Sequence, residues 1–187
     1  MEIRGFAPGE SITSPAHFRD IRNRDELKAK IDWLRDLSGG CPIGVKFAAG
    51  NIEADLERAL FAQPDFVTLD GRAGATGAAP KYVKAATSVP TIFALHRARK
   101  FLDDHNAGNI SLVITGGIRV SADIAKAIAL GADAAAIGTA ALMAIGCQQY
   151  RVCNTGKCPM GIATQDEALR ANFNIDKAAQ RLEIFWQ

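Results

Sequence analysis

The chain has 187 residues, 48% of them hydrophobic and 22% charged, and its 22 basic and 20 acidic side chains leave a formal net charge of +2. This composition is typical of one globular domain, and the interspersed charges argue against a nucleic-acid or membrane-surface partner. Because no window approaches about 18 uninterrupted apolar residues and the start MEIRGFAPGE lacks the basic and apolar regions of a signal peptide, a cytoplasmic protein is expected.

Four short apolar runs, each punctuated by Gly or Asp at its carboxyl end, predict parallel β-strands buried on both faces. They are residues 43–47, 66–69, 112–115 and 134–138. Amphipathic segments alternate with these runs and predict helices. In the first of these segments Asn23 and Glu26 have capping-box spacing. In the segment between the third and fourth strands, Ser121 is the expected N-cap of the helix and Gly131 its expected end. The alternation indicates an α/β fold with right-handed crossovers.

The loops after the strands discriminate between two α/β designs. A doubly wound nucleotide-binding fold would carry GxGxxG after its first strand, but GRAGATG at residues 71–77 has the wrong spacing and runs into AAP rather than a helix. The last two strands instead end in TGG and GT, which place Gly116, Gly117, Gly138 and Thr139 ahead of short helices. Such loops suit the phosphate site of a TIM barrel, with ordinary tight turns as the alternative.

Lys46 lies in the middle of the first predicted strand. An unpaired ammonium in an apolar interior costs several kcal/mol, so the position requires an explanation. In one interpretation the amine extends out of the sheet along its own aliphatic stem. In the other, Lys46 lies at the barrel mouth and donates to an electron-rich acceptor such as the N1/O2 edge of a reduced flavin.

Three of the four cysteines, Cys147, Cys153 and Cys158, have the spacing C-x5-C-x4-C and are followed by Pro159. Structural zinc usually takes four ligands in close pairs, which this segment lacks. Iron–sulfur clusters are held by thiolates of loops that end in Cys-Pro. Three thiolates suggest either a cluster that lacks one iron or a cluster whose fourth ligand is not a cysteine. Cys41 is a poor fourth ligand because it precedes the first strand, at the opposite end. Three buried free thiols are the other alternative, which the polar residues between them disfavour.

Six longer motifs extend these observations over nearly the whole chain. They are IRGFAPG, SPAHFRDI, VKFAAG, LDGRAGATGAAP, TGGIRVSADIAKAIALGADAAAIGTAALMAIGC and CNTGKCPMGIATQ. The chain resembles the FMN-binding domain of the glutamate synthase large subunit, particularly its archaeal-like short forms. The resemblance implies a TIM barrel with FMN and a 3Fe-4S cluster. It also implies electron flow from the cluster to FMN and, as hydride, to 2-iminoglutarate made from 2-oxoglutarate and ammonia, which yields L-glutamate.

The resemblance implies roles for particular residues. It makes Cys147, Cys153 and Cys158 the cluster ligands and Lys46 a catalytic residue that faces the flavin. The further cofactor-binding residues that it implies are Asp70, Gly71, Thr76, Gly77, Thr115, Gly116, Gly117, Gly138 and Thr139. The chain departs from the family where Thr115 replaces the Asp of an Asp-Gly-Gly strand end, which removes a carboxylate that could hold the ribityl chain. FAAG after Lys46 also lacks an acidic residue of the larger bacterial enzymes.

The expected fold is therefore a partial (β/α)8 TIM barrel of the FMN-linked oxidoreductase type, with strands five to eight in one domain over residues 1–187. Residues 1–146 form the half-barrel, residues 147–165 the iron–sulfur loop, and residues 166–187 a helical tail that packs back on the barrel. Because a complete barrel has eight strands and about 250 residues, a first half-barrel or a second copy is expected to close the open edges.

The resemblance also implies partners. The expected substrates are 2-oxoglutarate and ammonia, and the expected protein partners are a glutaminase and an electron-donor subunit or ferredoxin. Two alternatives are another FMN-barrel oxidoreductase, such as an N-methylglutamate synthase subunit, and a non-catalytic, truncated fragment that binds a partner.

Overall fold

The computed structural model describes residue 7 and residues 17–75 and 81–187. Strands and helices alternate along most of this chain. The strands are β1 Gly44–Ala48, β2 Phe66–Asp70, β3 Ser111–Thr115 and β4 Ala134–Ala136. The helices are α1 Arg24–Leu37, α2 Ile52–Ala62, α3 Lys81–Thr87, α4 Thr91–Asp104, α5 Ser121–Ala129, α6 Thr139–Ala144, α7 Glu167–Arg170 and α8 Ile175–Trp186. Within these described ranges, two turns of 3-10 helix lie at Arg72–Gly74 and Cys153–Thr155.

The four strands form one parallel sheet in the order β1-β2-β3-β4. Each strand pairs with the next one along the chain, which is the connectivity of consecutive βα units. The register aligns Ala48, Asp70, Thr115 and Ala136 at the carboxyl end of the sheet. All four predicted strands and the α/β fold are confirmed, with the largest boundary shift at β4, which ends at Ala136 rather than at residue 138.

The two faces of this sheet differ in burial. The outer face packs against α2 and α4 and contributes the fully buried side chains Val67, Leu69, Leu112 and Ile114. The alternate side chains form the inner face, where Lys46 is exposed and Asp70 and Thr115 are half-buried. The prediction that these strands are buried on both faces is wrong, because the helices that pack on the described sheet cover its outer face.

Helical periodicity explains how α2 and α4 cover the sheet. Their buried residues recur every three or four positions, so one stripe of each helix enters the core cluster that includes the outer face of the sheet. These residues are Ile52, Leu56 and Ala59 in α2, and Thr91, Ala94, Leu95, Ala98 and Leu102 in α4. Arg97 and Glu53 join the two helices through two hydrogen bonds, Nε to Oε1 at 2.8 Å and Nη2 to Oε2 at 2.5 Å.

Two aspartates fix the amino ends of the strands in the same way. Asp65 Oδ2 accepts the backbone N–H of Ile43 at 2.7 Å, and Asp133 Oδ2 accepts that of Leu112 at 2.7 Å. Asp65 also accepts a hydrogen bond from Arg35 at 2.9 Å. The N–H of Ile43 first, and the Arg35 guanidinium second, lower the pKa of Asp65. The starts of β1 and β3 are thus each held by a carboxylate that precedes the neighbouring strand.

The helix boundaries confirm two predicted signals and correct a third. Asn23 caps α1, since its Oδ1 accepts the N–H of Glu26 at 2.9 Å, and α5 is followed by Gly131 with φ +98°. Ser121 is not the N-cap of α5, because the helix begins at Ser121 itself. The cap is made from inside the helix: Asp123 Oδ2 accepts the N–H of Arg119 at 3.0 Å and that of Val120 at 3.3 Å.

The tail after the cysteine segment contains two helices instead of one. Asp166 caps α7 and Asn174 caps α8 through their side-chain oxygens, so the chain restarts a helix at Ile175. Helix α8 packs against α6, as predicted for a tail that folds back on the barrel units. In the part of the chain that the structure describes, no helix is both long and apolar enough to span a bilayer.

Candidate functional site

The carboxyl end of the sheet brings together most of the residues that the sequence singled out. Parallel strands end on the same side, so the loops after β1, β2, β3 and β4 meet there. Backbone hydrogen bonds join these loops: Ala49 N–H to Asp70 O at 2.9 Å, Gly71 N–H to Thr115 O at 2.9 Å, and Val89 N–H to Ala49 O at 2.7 Å. The edge is therefore one connected surface.

Lys46 and Asp70 form an ion pair on the inner face of this edge. Lys46 Nζ lies 3.0 Å from Asp70 Oδ2, and the lysine side chain is 60% exposed, whereas that of Asp70 is 24% exposed. Both interpretations of Lys46 assumed a doubly buried strand, and the exposure of its side chain does not decide between them. The amine instead lies beside a carboxylate on an accessible polar face, where it can attract an anionic group.

The second oxygen of Asp70 is buried and has no hydrogen-bond partner among the described residues. It lies against the backbone of Gly74, where a Cβ atom would come within 1.9 Å of Asp70 Oδ1. A buried carboxylate oxygen that accepts no hydrogen bond costs free energy, so its presence in a native structure requires an explanation. Asp70 can accept one further hydrogen bond from a ligand or an ordered water.

The loop after β3 has a backbone that suits glycine. Gly116 has φ +110° and Gly117 has φ +79°, and both lie in the region that disfavours other residues. The carbonyl of Gly116 accepts a hydrogen bond from the buried hydroxyl of Thr91 at 2.6 Å. Thr115, just before this loop, donates its hydroxyl to Ala136 O at 3.0 Å, so its side chain links β3 to β4.

Other predicted residues take different positions. Gly138 and Thr139 are exposed at the start of α6, and a Cβ at Gly138 would meet no atom within 4 Å. Gly71 is buried and packs against Thr91. Thr76 and Gly77 lie outside the described residues. Thr91 was not among the predicted site residues, because its only signal is a hydroxyl directly after Pro90 at the start of a predicted helix.

The three cysteines of the loop after α6 are in different environments. Cys147 is half-buried, Cys153 is exposed, and Cys158 is buried. The N–H of Gln149 donates to Cys147 Sγ at 3.4 Å. Within the described ranges, no three His, Cys, Asp or Glu side chains lie close enough together to hold a metal ion. The structure therefore does not gather the three thiols, and the cluster stays a prediction.

Cys158 is the best-defined thiol of this loop. The backbone N–H of Ala163 is the main cause that lowers its pKa, and the N–H groups of Ile162, Met160 and Gly161 act in the same direction against the effect of burial. These N–H groups belong to the turn after Pro159, where Gly161 has φ +73°. The turn therefore favours the thiolate, which is the form of cysteine that binds metals.

The parallel βα units define a partial TIM barrel. A mandelate oxidase structure with 3,3-difluoro-2-hydroxy-3-phenylpropionic acid superimposes on 98% of this chain and 42% of its own, with a TM-score of 0.52 and 20% identity. At that identity the likeness shows the fold alone, and it confirms the predicted architecture.

The chain belongs to the glutamate synthase family: the family model described as "Conserved region in glutamate synthase" matches residues 1–187. It is 45% identical to the "Archaeal-type glutamate synthase [NADPH]" of Dehalococcoides mccartyi, over 96% of this chain and 40% of the relative. It is 40% identical to the protein of the same description from Thermotoga neapolitana, over 96% of this chain and 36% of the relative. The resemblance seen in the motifs is confirmed, and the chain spans about two fifths of these relatives.

Proposed function

We propose that this chain is the flavin and iron–sulfur segment of a glutamate synthase that reduces 2-iminoglutarate, formed from 2-oxoglutarate and ammonia, to L-glutamate. The observation that carries the proposal is the common edge in a chain of this family. Lys46, Asp70 and the Gly116–Gly117 loop share the carboxyl end of the sheet. The cysteine loop follows α6, which begins where β4 ends at that edge.

The residues of the edge fit FMN. Asp70 Oδ1 is a buried acceptor without a donor, Lys46 is an accessible cation, and the Gly-Gly loop bears no side chains that would block a polar ligand. In the proposal Lys46, Asp70, Gly71, Thr115, Gly116, Gly117, Gly138 and Thr139 hold the cofactor. FMN and not FAD is proposed, because these loops suit a terminal phosphate and the chain offers no fingerprint for an adenosine moiety.

The chemistry of the cysteine loop fits an iron–sulfur cluster. Between residues 147 and 165 the chain contains three thiols and no His, Asp or Glu, a soft donor set that favours iron–sulfur over hard-ligand metals. Cys147, Cys153 and Cys158 would hold a 3Fe-4S cluster. When bound, FMN supplies hydride transfer to the imine carbon and the cluster supplies one-electron carriage.

In this proposal, Lys46 and Asp70 act by charge and orientation. The Lys46 ammonium stabilises negative charge beside the inner face, and Asp70 orients that ammonium through the 3.0 Å contact. Formation of the imine from 2-oxoglutarate and ammonia releases water, and its reduction consumes one hydride and one proton. Proposed partners are therefore a source of ammonia such as a glutaminase, an electron-donor subunit or ferredoxin, and βα units that continue the edges of β1 and β4.

The test replaces the matching segment of the Dehalococcoides mccartyi relative with this chain. The chimera is expected to contain FMN and to form glutamate from 2-oxoglutarate, ammonia and NADPH. Release of FAD on denaturation would contradict the cofactor assignment. A folded, flavin-loaded chimera that turns over only with methylamine would indicate an N-methylglutamate synthase, and one that binds no flavin would indicate a non-catalytic segment.

A further inference from the structure

Thr91 joins the loops that follow two neighbouring strands. It is the first residue of α4, is 8% exposed, and lies beneath the turns after β2 and β3. A Cβ atom at Gly71 would lie 2.1 Å from Thr91 Oγ1, and one at Gly116 would lie 3.0 Å from the same oxygen. Both glycine backbones therefore pack directly on this hydroxyl.

The hydroxyl sets the direction of one peptide plane. Thr91 Oγ1 donates to the carbonyl of Gly116 at 2.6 Å, and the carbonyl oxygen thus points toward α4. The described chain contains no cis peptide bonds, so the N–H of Gly117 points in the opposite direction from that carbonyl. The Gly117 N–H is therefore directed away from Thr91.

No backbone or side-chain acceptor among the described residues binds the Gly117 N–H. The polarity of a free backbone N–H in a glycine turn after a parallel strand suits an anionic oxygen. A ligand that brings a phosphate to this turn would supply the acceptor.

We propose that Thr91 is a positioning residue that holds the Gly116–Gly117 peptide with its N–H available to the phosphate of the flavin. This inference rests on the proposed function, because it takes FMN as the ligand of the edge. It adds that Thr91, which touches no ligand itself, controls affinity for the phosphate end of FMN and not for its ring.

The test compares FMN with riboflavin, which lacks the phosphate, in the chimera with the Dehalococcoides mccartyi relative. Thr91→Val keeps the branched shape and removes the hydroxyl, whereas Thr91→Ser keeps the hydroxyl. Thr91→Val should weaken FMN binding on the order of tenfold, as expected for one lost hydrogen bond, and leave riboflavin binding unchanged. Thr91→Ser should bind both as the wild type does. Equal weakening of both ligands, or unchanged FMN affinity, would overturn the proposal.

A measurement on the wild-type chain keeps the inference testable if Thr91→Val does not fold. With 15N-labelled glycine, the Gly117 amide should exchange rapidly with solvent and should shift when inorganic phosphate is added. A protected Gly117 amide, or one that phosphate does not affect, would contradict the proposed peptide orientation. A chain that binds phosphate at Gly117 but binds no FMN would refute the flavin function and retain the role of Thr91.

Discussion

Lys46 Nζ and Asp70 Oδ2 lie 3.0 Å apart across two neighbouring strands, while the other oxygen of Asp70 is buried and has no partner in the part of the chain that the structure describes. The lysine side chain is 60% exposed, and exposed ion pairs contribute little to stability. The pair therefore stabilises the fold weakly. What it does provide is a cation on the inner face of the sheet, next to a carboxylate oxygen that no described residue satisfies.

Lys46→Met should lower the midpoint potential of bound flavin. The substitution keeps the aliphatic stem and removes the cation, so negative charge on the reduced cofactor loses about 1 to 3 kcal/mol of stabilisation if one charge-assisted hydrogen bond is lost. A spectroelectrochemical titration of the FMN-loaded protein measures the shift. Lys100→Met is the matched control, because Lys100 pairs with Asp104 within α4, on the exposed surface of that helix. Equal potentials in wild type and Lys46→Met would assign the lysine no role at the flavin.

Asp70→Ala should leave the ligand-free chain as stable as the wild type, to within about 1 kcal/mol, or make it more stable. The substitution removes a weak ion pair, whose lysine is exposed, and also removes the cost of a buried oxygen that no described residue satisfies. Urea unfolding of both proteins measures the difference. A loss of more than about 2 kcal/mol would show that Asp70 is a structural residue, since that is the size of a satisfied buried charge interaction.

The contact between Arg97 and Glu53 should make stability depend on pH. Hydrogen bonds from Arg97 are the main cause that lowers the pKa of Glu53 from its usual value of 4.5, with desolvation in opposition. A carboxylate with a lowered folded-state pKa stabilises the fold above the unfolded-state pKa, and this contribution is lost as pH falls through the folded-state pKa. Both side chains are about two fifths exposed, so solvent screening limits the effect to about 1 kcal/mol or less.

Glu53→Gln should therefore be less stable than wild type at pH 6 to 7, and the difference should disappear as the pH falls well below the unfolded pKa of 4.5. Thermal or urea unfolding across this range measures it. Asp104→Asn serves as the comparison, because its partner Lys100 is on the same helix and the pair joins no separate elements. A difference between Glu53→Gln and wild type that persists unchanged at low pH would mean that lost packing, and not the ion pair, is responsible.

The strands and most helices were predictable because their signals are local. Apolar runs followed by Gly or Asp marked the strands, and Asn23 and Gly131 marked helix boundaries correctly. The segment after β2 was predicted without a helix, yet it contains the turn Arg72–Gly74 and helix α3. Both are short and lack an apolar stripe, so no periodic signal existed to reveal them. The burial of the inner face was also mispredicted, since it depends on what covers the sheet and not on the strand itself.

The site was predictable by residue type and not by contact. Lys46 and Asp70 were both singled out, but their pairing depends on the register of β1 against β2. Thr91 and Gly116 are 25 positions apart, and nothing in either segment predicts that a hydroxyl meets a carbonyl. The thiols show the same limit: the spacing C-x5-C-x4-C predicts a soft donor set, but the structure does not bring the three side chains together among the described residues.

Cys153 and Cys41 allow the proposed cluster to be tested by comparing one thiol inside the cysteine loop with one outside it. Cys153 is exposed within the loop, and Cys41 is exposed ahead of β1, at the amino end of the sheet. The proposal assigns Cys153 to the cluster and gives Cys41 no role. The two residues therefore form a matched pair, in which the same substitution is made at two exposed thiols.

Cys153→Ser should abolish the visible absorbance and the acid-labile sulfide of a cluster, because a hard oxygen replaces a soft thiolate and two thiolates hold a cluster poorly. Cys41→Ser should leave both unchanged. Bound FMN should largely survive the Cys153 change, since the loops proposed to hold it precede Cys147 in the chain, but its reduction by a one-electron donor should slow. Iron, zinc, sulfide and flavin are measured in anaerobically purified protein of each variant, in the chimera with the Dehalococcoides mccartyi relative. Full sulfide content in Cys153→Ser, or zinc without iron in the unmutated protein, would refute the cluster and the electron path that depends on it.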